Sequence, residues 1–243
     1  MNGAVERVYY PVFLDLQGRP CLVVGGGPIA TGKVRGLLEA GARVAVVAPD
    51  AGPEIAGWHA GGRVAWHARA YTDADLAGQF LVYAATDDRE LNARIYRRAD
   101  AAGLVANAVD DLDNCAFIAP AITRSGPVQV AVSTAGTSPA LAKQIRDRVA
   151  QDVLIPGTAN LAAFLGRWRP DVRRHVDTYE RRQALWEGVL EGCVPSLVAA
   201  GDEAAADDAM RAFLRRAGDH PRGQATCVVD ARRLDVCRAC KGV

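Results

Sequence analysis

The sequence predicts an α/β protein: a doubly wound parallel sheet, then a small hairpin-plus-helices part, then a helical C-terminal part. Three observations predict it. Short apolar runs alternate with helical stretches from Pro20 to Val109, the order of elements that folds into a parallel sheet. A glycine-rich turn, Gly25-Gly26-Gly27, separates the first run from the first helical stretch. Beyond it, the alternation ends in two apolar runs joined by a turn too short for a crossover, and residues 160–216 read as helical.

The elements follow in order. Pro20-Cys21-Leu22-Val23-Val24 is a short apolar run of the kind buried on both faces of a parallel sheet. A helix is predicted over residues 28–40, with Ile29, Val34, Leu37 and Leu38 on its apolar side and Gly41 ending it. Residues 43–47, 64–66 and 80–85 are the next three strands; 91–102 is a helix and 104–109 the fifth strand. Residues 117–123 and 128–133 should pair as an antiparallel hairpin across Arg124-Ser125-Gly126-Pro127. Ser138 as N-cap and Pro139 at the first helical position start a helix to about residue 153. The remaining helical stretch is punctuated by Pro170, Pro195 and Gly201. The expected division is 1–115 for the sheet domain, 116–153 for the hairpin and its helix, 154–217 for the helical domain and 218–243 for a tail.

Half of the 243 residues are hydrophobic and the net charge is +1, so no global field favours nucleic acid or an anionic membrane. No run of about 18 apolar residues occurs, and Met1-Asn2-Gly3-Ala4-Val5-Glu6-Arg7 lacks the apolar core of a signal peptide, so a cytoplasmic location is expected. Cys21, Cys115 and Cys193 stand apart in apolar segments and read as buried thiols. Cys227, Cys237 and Cys240 crowd the C-terminal end; with His220 they would suit zinc, but a loosely ordered tail is the plainer reading and no metal site is assigned.

Gly25-x-Gly27-x-x-Ala30, directly between strand and helix, is the Rossmann-like dinucleotide pattern. Its first glycine permits the tight turn, its second lets a pyrophosphate approach the backbone, and Ala30 lets helix and strand pack closely. Helix N-terminal N–H groups would then face the phosphates. A purely structural glycine turn is the alternative. The acid that takes ribose hydroxyls usually ends the second strand; Ala48 stands there, followed by Pro49 and Asp50, and Asp50 is expected to supply that function. No Arg or Lys follows this strand, which favours NAD over NADP. Thr86 and Asp87 lie at the carboxyl edge of the sheet and are candidate cofactor contacts, with helix capping by Asp87 or Asp88 as the alternative. Asn107 and Asp110 reach the same edge. A carboxylate there would lie beside a nicotinamide, making Asp110 a candidate general base; a turn-forming Asp is the other reading.

Taken together these pieces resemble the siroheme synthase dehydrogenase/chelatase family. The matching strings are Tyr10-Pro11-Val12-Phe13-Leu14-Asp15-Leu16, Val23-Val24-Gly25-Gly26-Gly27-Pro28-Ile29-Ala30 with Lys33, and Leu38-Glu39-Ala40-Gly41-Ala42. Next come Ala84-Ala85-Thr86-Asp87-Asp88 with Leu91-Asn92, Asn107-Ala108-Val109-Asp110, and Phe117-Ile118-Ala119-Pro120. Val132-Ser133-Thr134-Ala135-Gly136-Thr137-Ser138-Pro139-Ala140-Leu141-Ala142 completes the series. Their order and spacing carry the resemblance.

The resemblance implies NAD-dependent oxidation of precorrin-2 to sirohydrochlorin, and in many members insertion of ferrous iron, as substrate, to give siroheme. It places Asp110 at the acid used in both steps, with Asp111 beside it as a departure. Cofactor contacts would fall on Pro28, Ile29, Pro49 and Asp50. Thr134 stands where some members carry a phosphorylatable serine. The family's homodimers form through the hairpin and following helices. The tetrapyrrole substrate is a polycarboxylate, for which Asn107, Thr134, Thr137, Ser138, Lys143 and Arg146 are candidate contacts. Arg148, Arg173, Arg174, Arg181 and Arg182 are further cations, with a solvated helix face as the alternative for any of them. Asp219-His220-Pro221-Arg222-Gly223 is similar to the approach to the methyltransferase domain of longer members, but residues 224–243 lack its glycine-rich loop, so that domain is not expected. A dehydrogenase without chelatase activity, a non-catalytic NAD-binding sensor, and a dehydrogenase for another small molecule remain as alternatives.

Overall fold

A computed structural model describes residues 8–218. The cysteines and histidine of the tail, and the segment similar to a methyltransferase approach, lie outside the described residues. The chain divides into two compact units: one runs to Pro120 and includes Ser133–Pro139, and the other holds Ala121–Val132 and the chain from Ala140 on.

The first unit is a five-stranded parallel sheet in the order β3-β2-β1-β4-β5. Its elements are β1 (Pro20–Val24), α1 (Pro28–Glu39), β2 (Arg43–Val47), α2 (Pro53–Ala60) and β3 (Val64–His67). After a short 3-10 turn at Asp73–Leu76 come β4 (Leu81–Ala84), α3 (Arg89–Ala101) and β5 (Val105–Ala108). Winding reverses between β1 and β4, and an open sheet of this kind offers its ligand crevice outside the carboxyl ends of those two strands.

The apolar runs explain both layers. Cys21 and Val23, with Val44, Val46, Leu81 and Tyr83, point to one face and pack against Ala30, Val34 and Leu37 of α1 and Ile55 of α2. Leu22 and Val24, with Val47, Val82, Ala84, Ala106 and Ala108, point to the other and pack against Ile95 and Ala99 of α3. The central strands β1 and β4 are apolar throughout because alternate residues serve opposite cores. Burial pushes the Cys21 thiol up to about 11. Ile29 departs from the expected apolar stripe: it is 53% exposed and lines the cavity at the carboxyl edge of the sheet.

The second unit holds the hairpin β6 (Ala121–Ser125) and β7 (Val128–Val132), then α4 (Pro139–Asp152), α5 (Thr158–His175), α6 (Tyr179–Glu191), α7 (Val194–Ala199) and α8 (Glu203–Gly218). The hairpin is shorter than expected at one end and tighter at its turn. Arg124 and Ser125 pair with Gln129 and Val128, leaving Gly126-Pro127 as a two-residue turn with Gly126 at φ +55. The run from Phe117 to Pro120 instead serves the first unit, where the Phe117 ring stands edge-on to Tyr83 at 5.3 Å. Pro170 does not end its helix: Phe164 and Val172 on either side of it are buried in one cluster with Leu185, Val189, Val194, Val198 and Met210. Cys193 is half-buried rather than buried. Among the described residues no helix is long and apolar enough to cross a membrane.

Candidate dinucleotide and catalytic site

Each glycine of the turn after β1 meets a different surrounding. Gly25, at φ +124, passes beneath the loop after β4: a Cβ there would lie 2.2 Å from the Ala85 carbonyl oxygen. Gly26 faces the loop after β2, where a Cβ would lie 1.9 Å from the Asp50 carbonyl oxygen, and its own carbonyl accepts from the Gly52 amide at 3.0 Å. Gly27 caps α1, and a Cβ on it would meet nothing within 4 Å. Two glycines thus let three loops close together, and the third leaves an open cradle. Pro28 has no N–H, so the amides of Ile29 and Ala30 are the first donors at this helix end. Ala30 is fully buried, and the Thr31 hydroxyl donates to the Gly27 carbonyl at 3.0 Å.

The cradle opens into a cavity of about 850 Å³ across the carboxyl edge of the sheet. Gly25, Gly27, Pro28 and Ile29 line it at the centre, Ala48, Pro49 and Asp50 beyond β2, and Thr86, Asp87 and Asp110 beyond β4 and β5. Such a volume is of the size expected for a small-molecule site. Uncapped helix amides beside an open glycine, with an acid beyond β2, fit a dinucleotide.

Thr86 is held by Asn92, a buried side chain of α3: its Oδ1 accepts from the Thr86 hydroxyl at 2.7 Å and amide at 3.1 Å, and its Nδ2 donates to the Thr86 carbonyl at 2.8 Å. Capping of α3 falls to Asp88, whose carboxylate accepts from the Leu91 amide, so Asp87 is left to line the cavity.

Asp110 follows β5 in the left-handed conformation, φ +60, which Asp tolerates better than most residues. Arg89 Nη2 lies 3.4 Å from its carbonyl oxygen. The neighbouring Asp111 is occupied elsewhere, accepting from Asn114 Nδ2 at 2.7 Å. On the α1 side stands Lys33, half-buried, with its ammonium 5.1 Å from the centre of the Tyr83 ring. Burial lowers the Lys33 pKa, opposed by the negative charge of Asp110. Burial also pushes the Tyr83 phenol up to about 12.

Three family models match consecutive stretches of the chain. An NAD(P)-binding model covers residues 12–121, a sirohaem biosynthesis protein central model 125–151, and a sirohaem synthase dimerisation region model 157–214. Siroheme synthase of Methylobacillus flagellatus is 42% identical over 215 residues, 88% of this chain and 46% of that one. Siroheme synthase of Neisseria meningitidis serogroup B is 34% identical over 223 residues, 92% of this chain and 46% of that one. A solved structure named SirC, precorrin-2 dehydrogenase, shares 29% identity at a TM-score of 0.68, covering 87% of this chain and all of that one. The chain belongs to the N-terminal part of the siroheme synthase family. It spans just under half the length of these siroheme synthases.

Other residues singled out from the sequence have mixed placements. Asn107 is buried, donating from Nδ2 to the Phe117 carbonyl at 2.8 Å and to Cys115 Sγ at 3.1 Å, and is not among the cavity-lining residues. Thr134 and Ser138 close a small turn in the first unit: the Thr134 hydroxyl donates to the Ser138 carbonyl at 3.0 Å and accepts from its amide at 3.1 Å. The Thr137 hydroxyl donates to the Thr134 carbonyl at 2.6 Å. At Gly136 in this turn a Cβ would lie 2.8 Å from Leu112 Cδ1, so the loop rests on the segment that follows Asp110. Lys143 and Arg146 belong to α4 of the second unit; Lys143 is exposed and Arg146 pairs with Asp147 at 2.6 Å. Reading the sequence missed Gly26, Lys33 and Asn92 as working residues. A third consecutive glycine signalled the first; the other two depend on which helix faces meet the cavity.

Proposed function

We propose that the chain oxidises precorrin-2 to sirohydrochlorin with NAD as hydride acceptor and Asp110 as the base that takes the accompanying proton. The observation that carries this reading is one cavity lined both by an open glycine cradle at the start of α1 and by the Asp110 carboxylate-bearing turn after β5. The names of the relatives and of the structural neighbour support the substrate class, and the NAD(P)-binding model supports the nucleotide.

The cradle residues Gly25, Gly27, Pro28, Ile29 and Ala30 hold the pyrophosphate of NAD, with Pro49 and Asp50 at the ribose end and Thr86 and Asp87 toward the nicotinamide. When bound, NAD supplies the electrophilic carbon that accepts the hydride. Asp110 then accepts the proton released from the substrate carbon framework, and general-base help of this kind contributes about 10²- to 10⁴-fold. The Thr134–Ser138 turn, resting on the segment after Asp110, orients the substrate, while Lys143 and Arg146 attract its carboxylates. The match to a dimerisation region supports a homodimer built on the second unit. Insertion of ferrous iron is the finer part of the proposal, with Asp110 accepting pyrrole N–H protons as the metal substrate enters.

The test is incubation of purified protein with precorrin-2 and NAD, then with ferrous ion, following absorbance at each stage. Appearance of the sirohydrochlorin spectrum only with NAD supports the first step, and its later conversion to the siroheme spectrum supports the second. An unchanged precorrin-2 spectrum would overturn the reading.

A further inference from the structure

We infer that the Arg35–Glu54 ion pair sets the choice between NAD and NADP, Glu54 occupying a guanidinium that would otherwise receive a 2′-phosphate. The inference rests on the dinucleotide reading above and deepens it. Arg35 lies on α1, two turns beyond the glycine cradle, and Glu54 lies in the first turn of α2. Both side chains line the same cavity as Asp50, and they meet with Arg35 Nη2 at 2.5 Å from Glu54 Oε2. The sequence alone shows no cation after β2; the structure brings one from the preceding helix instead.

The chemistry separates the two nucleotides. A ribose 2′-hydroxyl is a neutral donor and suits the carboxylate of Asp50 in the loop after β2. A 2′-phosphate would bring roughly two negative charges, by analogy with other phosphate monoesters, to a rim that already carries Asp50 and Glu54. Arg35 is the rim's natural phosphate partner, since a guanidinium pairs with phosphate through two parallel N–H donors. Glu54 already accepts from it. Each side chain of the pair is 52% exposed, and exposed pairs contribute little to stability, so the pair can be altered without unfolding the sheet. The loop between Asp50 and Glu54 is also tied to the cradle through the Gly52 amide and the Gly26 carbonyl, which keeps the rim in register with the cradle.

The experiment measures NAD and NADP binding by calorimetry for wild type, Glu54→Gln and the double variant Arg35→Gln/Glu54→Gln, with circular dichroism to check folding. Glu54→Gln should bind NADP at least about tenfold tighter than wild type, or 1.4 kcal/mol, with NAD affinity changed less than about threefold. The double variant should lose the gain. Unchanged NADP affinity in folded Glu54→Gln, or a gain that persists in the double variant, overturns the role given to Arg35. Failure of wild type to bind either nucleotide is a different result: it removes the dinucleotide reading and this inference with it.

Discussion

Gly26 and Asp50 approach so closely that a Cβ on the glycine would stand 1.9 Å from the Asp50 carbonyl oxygen, whereas a Cβ on the adjacent Gly27 would meet nothing. These neighbours should therefore fail in different ways. Gly26→Ala must push the loop after β2 away from the cradle, a cost of about 1–3 kcal/mol or more for forced overpacking. Gly27→Ala has ordinary backbone angles, φ −77 and ψ −176, and should fold with near-normal stability. Its methyl group would stand in the open cradle and weaken NAD at least about tenfold. Urea denaturation and calorimetry on both variants check this. A Gly26→Ala protein as stable as wild type would show that the loop contact is not a constraint.

Asn107 separates a structural role from a substrate role. Its amide donates to the Phe117 carbonyl and to Cys115 inside the first unit, so Asn107→Ala leaves a part-buried carbonyl without this donor. The expected cost is about 1–3 kcal/mol in urea denaturation. A raised KM for precorrin-2 with unchanged stability is the opposite pattern and would move Asn107 into the substrate site.

Much of this fold can be read from the chain because the central strands β1 and β4 are apolar on both faces and the turn after β1 is marked by three glycines. The helix α2 was not visible: only Ile55 in it is buried, so no apolar stripe marks it. The start of β6 was misplaced because Phe117 is apolar for a partner far away in sequence, Tyr83, and periodicity cannot tell a strand residue from a loop residue that packs on another element. Pro170 reads as a breaker, yet burial on both sides of it keeps α5 continuous. At the site, the glycine turn and the acid after β5 were legible as local motifs. Lys33, Arg35 and Asn92 were not, because their meaning lies in the direction in which a helix presents them.

Lys33 carries a pH-dependent prediction. Burial lowers its pKa below the unfolded value of 10.5, so between the folded and unfolded values the unfolded chain binds more protons and stability rises with pH. Below that window the buried ammonium is a net cost, although its contact with the Tyr83 ring offsets part of it. Lys33→Met should thus raise Tm at pH 7 by on the order of 2 °C, a gain that shrinks toward pH 10. Scanning calorimetry across pH tests this. A Tm lowered at pH 7 would show that the Lys33 side chain is held for packing and that its ammonium is no net cost.

Asp110 and Asp111 supply the sharpest contrast. Asp110 lines the cavity from a left-handed turn, whereas Asp111 accepts from Asn114 within its own loop. Asp110→Asn keeps the shape and tolerates the left-handed conformation, since Asn shares that tolerance. It removes the proton acceptor and should slow sirohydrochlorin formation by about 10²- to 10⁴-fold. NAD affinity should change little, because the proposal gives those contacts to the cradle from Gly25 to Ala30. Asp111→Asn can still accept from Asn114 and should stay within about threefold of wild type, well short of the loss expected for a general base. If the same acid serves metal insertion, the Asp110 variant loses that step in parallel, read by the rate of siroheme appearance from supplied sirohydrochlorin and ferrous ion. Near-normal oxidation by a folded Asp110→Asn protein would assign the proton to another group.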